Sequence, residues 1–176
     1  MNETPETITW SLARSALGHT LLAHTRRGVC LVLPGDSEVC LRNTVSRFLP
    51  AHRLREQCLA DSNWHLRLLD WIESPGERLH VPLDVTGTPF QRRVFEALGM
   101  IPPGQTRSYQ AIAEQLGMPG GSRAVAGACA ANRLALLIPC HRVIRSDGSL
   151  GGYRWGMAWK QALLERERAF IEGEAG

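Results

Sequence analysis

A cysteine set between a proline and a histidine is the most reactive-looking feature of this 176-residue chain: Ile138-Pro139-Cys140-His141-Arg142-Val143. Cysteine attacks as its thiolate, so it needs a neighbouring base or a positive field to react at neutral pH. His141 is the natural base. In a regular strand, however, adjacent side chains point to opposite faces. A turn after Pro139 or a bridging water would therefore have to link His141 to the sulfur. A carboxylate orienting the imidazole would complete a Cys–His–acid relay. Glu167 and Glu165, both on the last amphipathic segment, are the candidates, and their positions alone do not choose between them. Asn132 stands eight residues before the thiol, at the end of an Arg/Ala/Gly segment.

The elements around this motif follow from periodicity and punctuation. Thr88-Pro89-Phe90-Gln91 combines a Thr cap, a Pro at the first helical position and a Gln able to close a capping box. Phe90, Val94, Phe95 and Leu98 supply that helix's apolar face, and Gly99 ends it. Ser108 starts a second helix running to Leu116. Gly117, Pro119, Gly120 and Gly121 break the chain, and Ser122 caps a third helix over Arg123–Ala131. Leu134–Pro139 reads as an extended run into Cys140. Trp155–Ile171 reads as a final helix with Trp159, Leu163 and Phe170 inward.

The two helices around the Gly/Pro break form a helix-turn-helix pattern. The second, Arg123-Ala124-Val125-Ala126-Gly127-Ala128-Cys129-Ala130-Ala131, lacks the Asn, Gln and Arg side chains that read base edges in a major groove. A face of methyl groups and hydrogens suits close approach to a minor groove. The single arginine at its start could wedge into a base stack.

The first half reads differently. Trp10–Arg14, Thr20–Thr25 and Val29–Leu33 form a β-meander, with turns around Gly18-His19 and Arg26–Gly28. Asp36 is placed to cap a helix with Val39, Val45, Phe48 and Leu49 inward. A short strand fits near Arg53–Cys58. Asp61 or Ser62 caps a helix with Trp64, Leu68, Trp71 and Ile72 as core. The fold class is α/β. A small α/β domain, residues 1–83 with its linker, precedes a mostly helical domain, residues 84–176, that holds the helix-turn-helix and the cysteine.

Composition narrows the function. Residues 1–83 carry nine Arg and nine acidic residues, whereas 88–154 carry eight Arg against three acids. The positive excess surrounds the cysteine motif, as a phosphate-facing surface requires. Five cysteines at irregular spacing, with no CxxC pair, point to reduced thiols in the cytoplasm and away from a disulfide framework or a thiolate zinc site. Met1–Thr20 has no signal-peptide pattern, and no apolar run reaches membrane-spanning length.

Taken together, Ile138–Val143, Asn132, Gly151-Gly152-Tyr153 and the helix carrying Glu167 resemble the O6-alkylguanine-DNA alkyltransferases. The likeness covers roughly residues 85–170. It is strongest to the alkyltransferase half of bacterial adaptive-response proteins, whose zinc-bearing domain would then lie outside this chain. The resemblance implies a repair protein that flips O6-methylguanine out of duplex DNA, with O4-methylthymine as a further candidate, and moves the alkyl group irreversibly onto Cys140. His141 would pass the thiol proton through a water to Glu167, which the resemblance favours over Glu165. Asn132 would tie the recognition helix to the cysteine segment, and Tyr109 would donate its hydroxyl proton toward the leaving guanine. Arg123 would fill the gap in the stack, with Ser122, Ala124, Ala126 and Gly127 against the minor groove. Pro139, Val143, Tyr153, Arg154 and Trp155 would form the base pocket, and the Trp155 indole would favour methyl over bulkier groups. No cofactor, metal or membrane enters this reading, and the protein would act as a monomer. Its rivals are an inert lesion-binding module, against which the intact Cys140 speaks, and a cysteine hydrolase, which would leave the small-faced helix unexplained.

Overall fold

The computed structural model describes residues 6–76 and 78–174. The first five residues of the stretch read as free of a signal peptide lie outside the described residues, as does Glu77 in the connection. The chain folds into two compact units. One runs up to Glu73 and adds Leu79–Val85. The other begins with the short stretch from Ser74 and resumes at Thr86.

In the first unit, β1 (Ile8–Ser15), β2 (Gly18–His24) and β3 (Val29–Gly35) form an antiparallel meander. β4 (Leu54–Glu56) pairs parallel to β1, giving the order β3-β2-β1-β4. The first hairpin turns at Ala16-Leu17, two residues earlier than the glycine suggests, because Ser15 pairs directly with Gly18. Leu21–Ala23 and Val29–Leu33 are buried without interruption, as in strands covered on both faces.

Helix α1 (Glu38–Phe48) is capped by Ser37, not Asp36: its hydroxyl accepts from the Cys40 amide. Leu41 and Val45 are its buried residues, while Val39 is 65% exposed. Helix α2 (Asn63–Glu73) buries Leu68, Trp71, Ile72 and an unforeseen His65. Ser62 occupies the cap position through its carbonyl, but its buried hydroxyl makes no hydrogen bond with the described residues.

His65 is fully buried between two hydroxyls, with Ser11 Oγ at 2.7 Å from Nδ1 and Thr20 Oγ1 at 2.8 Å from Nε2. Burial pushes its pKa down from 6.5 to about 4, so the neutral ring is the folded form. A depressed histidine stabilises the fold fully above its unfolded pKa. That contribution shrinks as pH falls from 6.5 to about 4, then levels. Urea titrations are expected to show roughly 3 kcal/mol lost across that window, and His65→Gln to flatten the slope. A wild-type curve level from pH 7 to 4 would refute this.

In the second unit, α3 (Pro89–Gly99) has the expected capping box between Thr88 and Gln91. α4 (Tyr109–Gln115) is capped by the Ser108 hydroxyl. α5 (Ser122–Ala131) has Gly121 at its cap, so Ser122 is the first helical residue and not the cap. A short parallel ladder joins β5 (Arg107–Ser108) to β6 (Val143–Ile144). α6 spans Met157–Glu174, beginning two residues after the predicted start and continuing past Ile171. Among the described residues no helix is long and apolar enough to cross a membrane.

Candidate active site

The segment before Cys140 is a compact buried turn, not the extended run its apolar residues suggest. Ile138 N–H donates to Leu134 O at 2.9 Å, and Leu136 sits at φ +68°. That left-handed backbone is unfavourable for a branched side chain. Burial of all five residues from Leu134 to Ile138 holds it there. Cys140–Arg142 then forms a single 3-10 turn, with Pro139 as its cap. This turn meets the geometric requirement set by a Cys-His pair, because consecutive side chains no longer alternate across a strand.

Asn132 closes α5 and organises the turn. Its backbone N–H bonds to Cys129 O, and its side-chain oxygen accepts from Leu134 N–H at 2.9 Å. Its amide nitrogen donates to Ile138 O at 2.9 Å and to Cys140 Sγ at 3.2 Å. One side chain therefore fixes the helix end, the turn and the sulfur together.

Cys140 is 4% exposed. Burial pushes its thiol pKa up, and the Asn132 hydrogen bond and the Lys160 charge offset this only in part. The resting group is a neutral thiol, so a base must act during the reaction.

His141 is fully buried, and Nε2 lies 2.7 Å from Glu167 Oε1. Glu167 also accepts from Arg142 Nη2 at 2.8 Å, from Arg142 Nε at 3.0 Å, and from the Gly104 amide at 3.0 Å. Burial alone would raise the Glu167 carboxyl. The His141 and Arg142 hydrogen bonds and charges overturn that and hold it down to about 2. Burial lowers His141, against the opposing pull of Glu167. We take the pair as an ionised carboxylate beside a neutral ring, since the guanidinium supplies a permanent charge. The proton then sits on Nε2, donated to Glu167, and Nδ1 presents its lone pair. Glu165 is exposed and bonds Gln161.

A cavity of about 500 Å3 opens beside the sulfur. Cys140, Tyr109, Cys129, Tyr153 and Arg154 line it, together with Ser122, Arg123 and Ala126 from α5. Arg123, Arg145 and Arg154 give the lining three cations, and it contains no carboxylate. The β5–β6 ladder brings Tyr109 here, because Ser108 pairs with Ile144 just past the cysteine turn. Burial first, then the neighbouring Cys129 and Cys140, raise the Tyr109 phenol to about 12. Ala124 and Gly127 lie on the exposed side of α5, and a methyl group built at Gly127 would meet open space. Pro139, Val143 and Trp155 stand outside the lining: Val143 is fully buried in β6, and Trp155 neighbours the lining residue Arg154, whose guanidinium lies 5.2 Å from its ring.

A family description for the DNA-binding domain of 6-O-methylguanine DNA methyltransferase matches residues 89–169. The bifunctional transcriptional activator/DNA repair enzyme Ada of Escherichia coli K12 is 44% identical over 163 residues, covering 91% of this chain and 45% of Ada. A methylated-DNA–protein-cysteine methyltransferase of Mycobacterium bovis is 53% identical over 89 residues, covering 51% of this chain and 54% of that protein. The chain thus spans about half the length of the curated relatives it matches. The crystal structure of Mycobacterium tuberculosis OGT in complex with DNA superposes with a TM-score of 0.77 at 32% identity, covering 92% of this chain and 94% of that one. A crystal structure of the M. tuberculosis O6-methylguanine methyltransferase gives 0.76 at 33% identity, covering 93% of this chain and 94% of that one.

The chain belongs to the O6-methylguanine-DNA methyltransferase family.

Two cations that the sequence motif does not single out hold the site together. Arg142 clamps Glu167 and also donates to Ile101 O. Lys160, fully buried in α6, donates to the carbonyls of Val143, Leu150 and Gly152. It thereby stitches the cavity's loop wall to the helix carrying Glu167. A signal existed: Lys160 is the only lysine beside nineteen arginines. A compact ammonium offers three swivelling donors to three converging carbonyls, which a planar guanidinium cannot do.

Proposed function

We infer that this chain repairs O6-methylguanine in duplex DNA by accepting the methyl group on Cys140, once per protein molecule. The observation that carries the reading is the neutral, buried thiol at the end of a cationic cavity, with a neutral imidazole beside it whose far nitrogen is held by an ionised carboxylate. The relatives' names, a DNA repair enzyme and a methylated-DNA–protein-cysteine methyltransferase, support it, as does the likeness to OGT bound to DNA.

The lesion's methyl carbon is buried in the duplex, so the nucleotide must leave the stack to reach a thiol. The small exposed face of α5, with Ala124 and Gly127, suits the minor groove, and Arg123 suits the space the extruded base leaves. Arg145 and Arg154 would face phosphates. In the cavity the base would lie between Tyr109, Tyr153 and Cys140. The Cys140 proton passes through a water to Nδ1 of His141, and Glu167 stabilises the imidazolium that forms. The sulfur displaces the guanine oxygen in line at the methyl carbon: the S–C bond forms as the C–O bond breaks. The Tyr109 hydroxyl donates a proton to the departing guanine and is reprotonated from solvent, to which His141 returns its proton. The thioether has no leaving group that water can readily displace, so turnover ends there. A monomer suffices, since every group named comes from one chain. A reduced thiol acceptor fits the cytoplasm, and all five cysteines are free.

Incubation with an O6-methylguanine duplex, followed by intact and peptide mass measurement, tests the reading. One added methyl on the Cys140 peptide is expected, with an unmethylated guanine left in the DNA. Tight binding to the duplex with no mass gain would sink it in favour of an inert lesion-binding module.

A further inference from the structure

Two polar atoms near Cys140 are buried and make no hydrogen bond with the described residues: Nδ1 of His141 and the hydroxyl oxygen of Tyr153. Such groups cost free energy unless something satisfies them. Tyr153 lines the cavity onto which the thiol opens. Its phenol is held well above its usual pKa, by burial first, with Cys140 and then Glu167 adding to the rise, which ties the hydroxyl to the surroundings of both. The cavity of about 500 Å3 has room for a water beside a bound base. A buried water is stable where two to four polar partners converge.

We propose that the Tyr153 hydroxyl is a positioning group for proton transfer, anchoring the water that carries the Cys140 proton to Nδ1 of His141. The inference rests on the reading of Cys140 as the methyl acceptor and goes beyond the ring's service as a pocket wall. A water held there would take the two orphan atoms and the thiol as its partners. The S–H donates to the water oxygen, the water donates to Nδ1, and the phenol hydrogen-bonds the same water and fixes its place. On transfer the thiol proton moves to the water, and the water's own proton moves to Nδ1. No other reactant is needed. The titratable and charged groups around the thiol and His141 are Lys160 and Glu167 on α6, Arg142 in the cysteine turn, Tyr109 on α4 and Cys129 on α5. Nδ1 of His141 is a buried nitrogen without a hydrogen-bond partner among the described residues.

Tyr153→Phe keeps the ring and removes only the oxygen, and it leaves no new buried polar atom. Single-turnover methyl transfer from the duplex, at protein concentrations that saturate binding, is expected to slow about tenfold, a share of what a complete general base supplies, with an unchanged melting temperature. A readout free of DNA separates a water-positioning hydroxyl from one that merely touches the base. Iodoacetamide alkylation of Cys140 in the DNA-free protein should lose the pH-independent limb that relay through His141 gives, and rise steadily with pH instead. A double-mutant cycle adds a third arm: with His141→Gln already present, removing the hydroxyl should cost almost nothing further, since both act on one water. A Phe variant that matches wild type in DNA-free alkylation across the pH range overturns the proposal, whatever its rate on DNA. Wild-type protein that adds no methyl to Cys140 overturns the underlying repair reading instead, so the two failures are distinguishable.

Discussion

Cys140→Ser is expected to abolish methyl transfer while leaving affinity for an O6-methylguanine duplex intact. The loss should exceed the about 10⁴-fold that removal of a general base alone costs, because nucleophile and product disappear together. Serine fits the buried site: its hydroxyl can accept the Asn132 amide hydrogen that Cys140 Sγ now takes at 3.2 Å. Chemistry is what fails. A hydroxyl is far less acidic than a thiol, and His141, whose own basicity burial lowers, is too weak a base to draw off its proton. Affinity survives because the groups proposed to meet DNA, Arg123, Arg145 and Arg154 with the exposed face of α5, lie elsewhere on the cavity wall and surface. Quantitative mass measurement against a binding titration checks both halves. Methyl appearing in the serine variant on the Cys129 peptide would count against Cys140 as the dedicated acceptor, because Cys129 lines the same cavity.

Much of the site was legible because it is local in sequence. Asn132, Pro139, Cys140, His141 and Arg142 lie within eleven residues, and helix punctuation placed α3, α4 and α5 close to where they form. The apolar run Leu134–Ile138 misled, since an unbroken hydrophobic stretch fits a buried turn as well as a strand. Here the Asn132 side chain supplies the hydrogen bonds that a neighbouring strand would have given. Long-range partners were the least visible. Nothing local foretells that β4 pairs parallel to β1, that Lys160 reaches three carbonyls, or that His65 is clasped by two hydroxyls from different strands. Choosing between Glu165 and Glu167 likewise needed α6's rotation about its axis, which turns Glu167 inward and leaves Glu165 on the exposed side. Helical spacing puts the two residues about 200° apart, so apart from the resemblance, which pointed to Glu167, only packing could decide.

Glu167→Gln is expected to destabilise the second unit by about 3–5 kcal/mol and to slow transfer at least as strongly as loss of the His141 base. The swap is isosteric, so packing is preserved and only charge and acceptor capacity change. The wild-type carboxylate accepts from His141, from two nitrogens of Arg142 and from the Gly104 amide. An amide nitrogen in place of one oxygen would face donors instead. Arg142, 4% exposed, would then keep its charge with no counter-ion against it, the situation in which breaking a buried pair costs several kcal/mol. His141 would lose the anion that stabilises its protonated form, so Nδ1 would become a still weaker base for the Cys140 proton. Acid gives the same experiment in wild-type protein. Glu167 titrates in the fold near 2, below its unfolded value of roughly 4.3. Its stabilisation is therefore complete above the unfolded value and drains away as pH falls toward 2. Urea unfolding followed through Trp159 in α6 should show a wide gap between wild type and Glu167→Gln at pH 7, narrowing at pH 3, where the unfolded chain's carboxyl is already protonated while the folded one is still mostly ionised. A gap under about 1 kcal/mol at pH 7 would place the pair in the weak class of surface ion pairs and break the link between the relay and the fold.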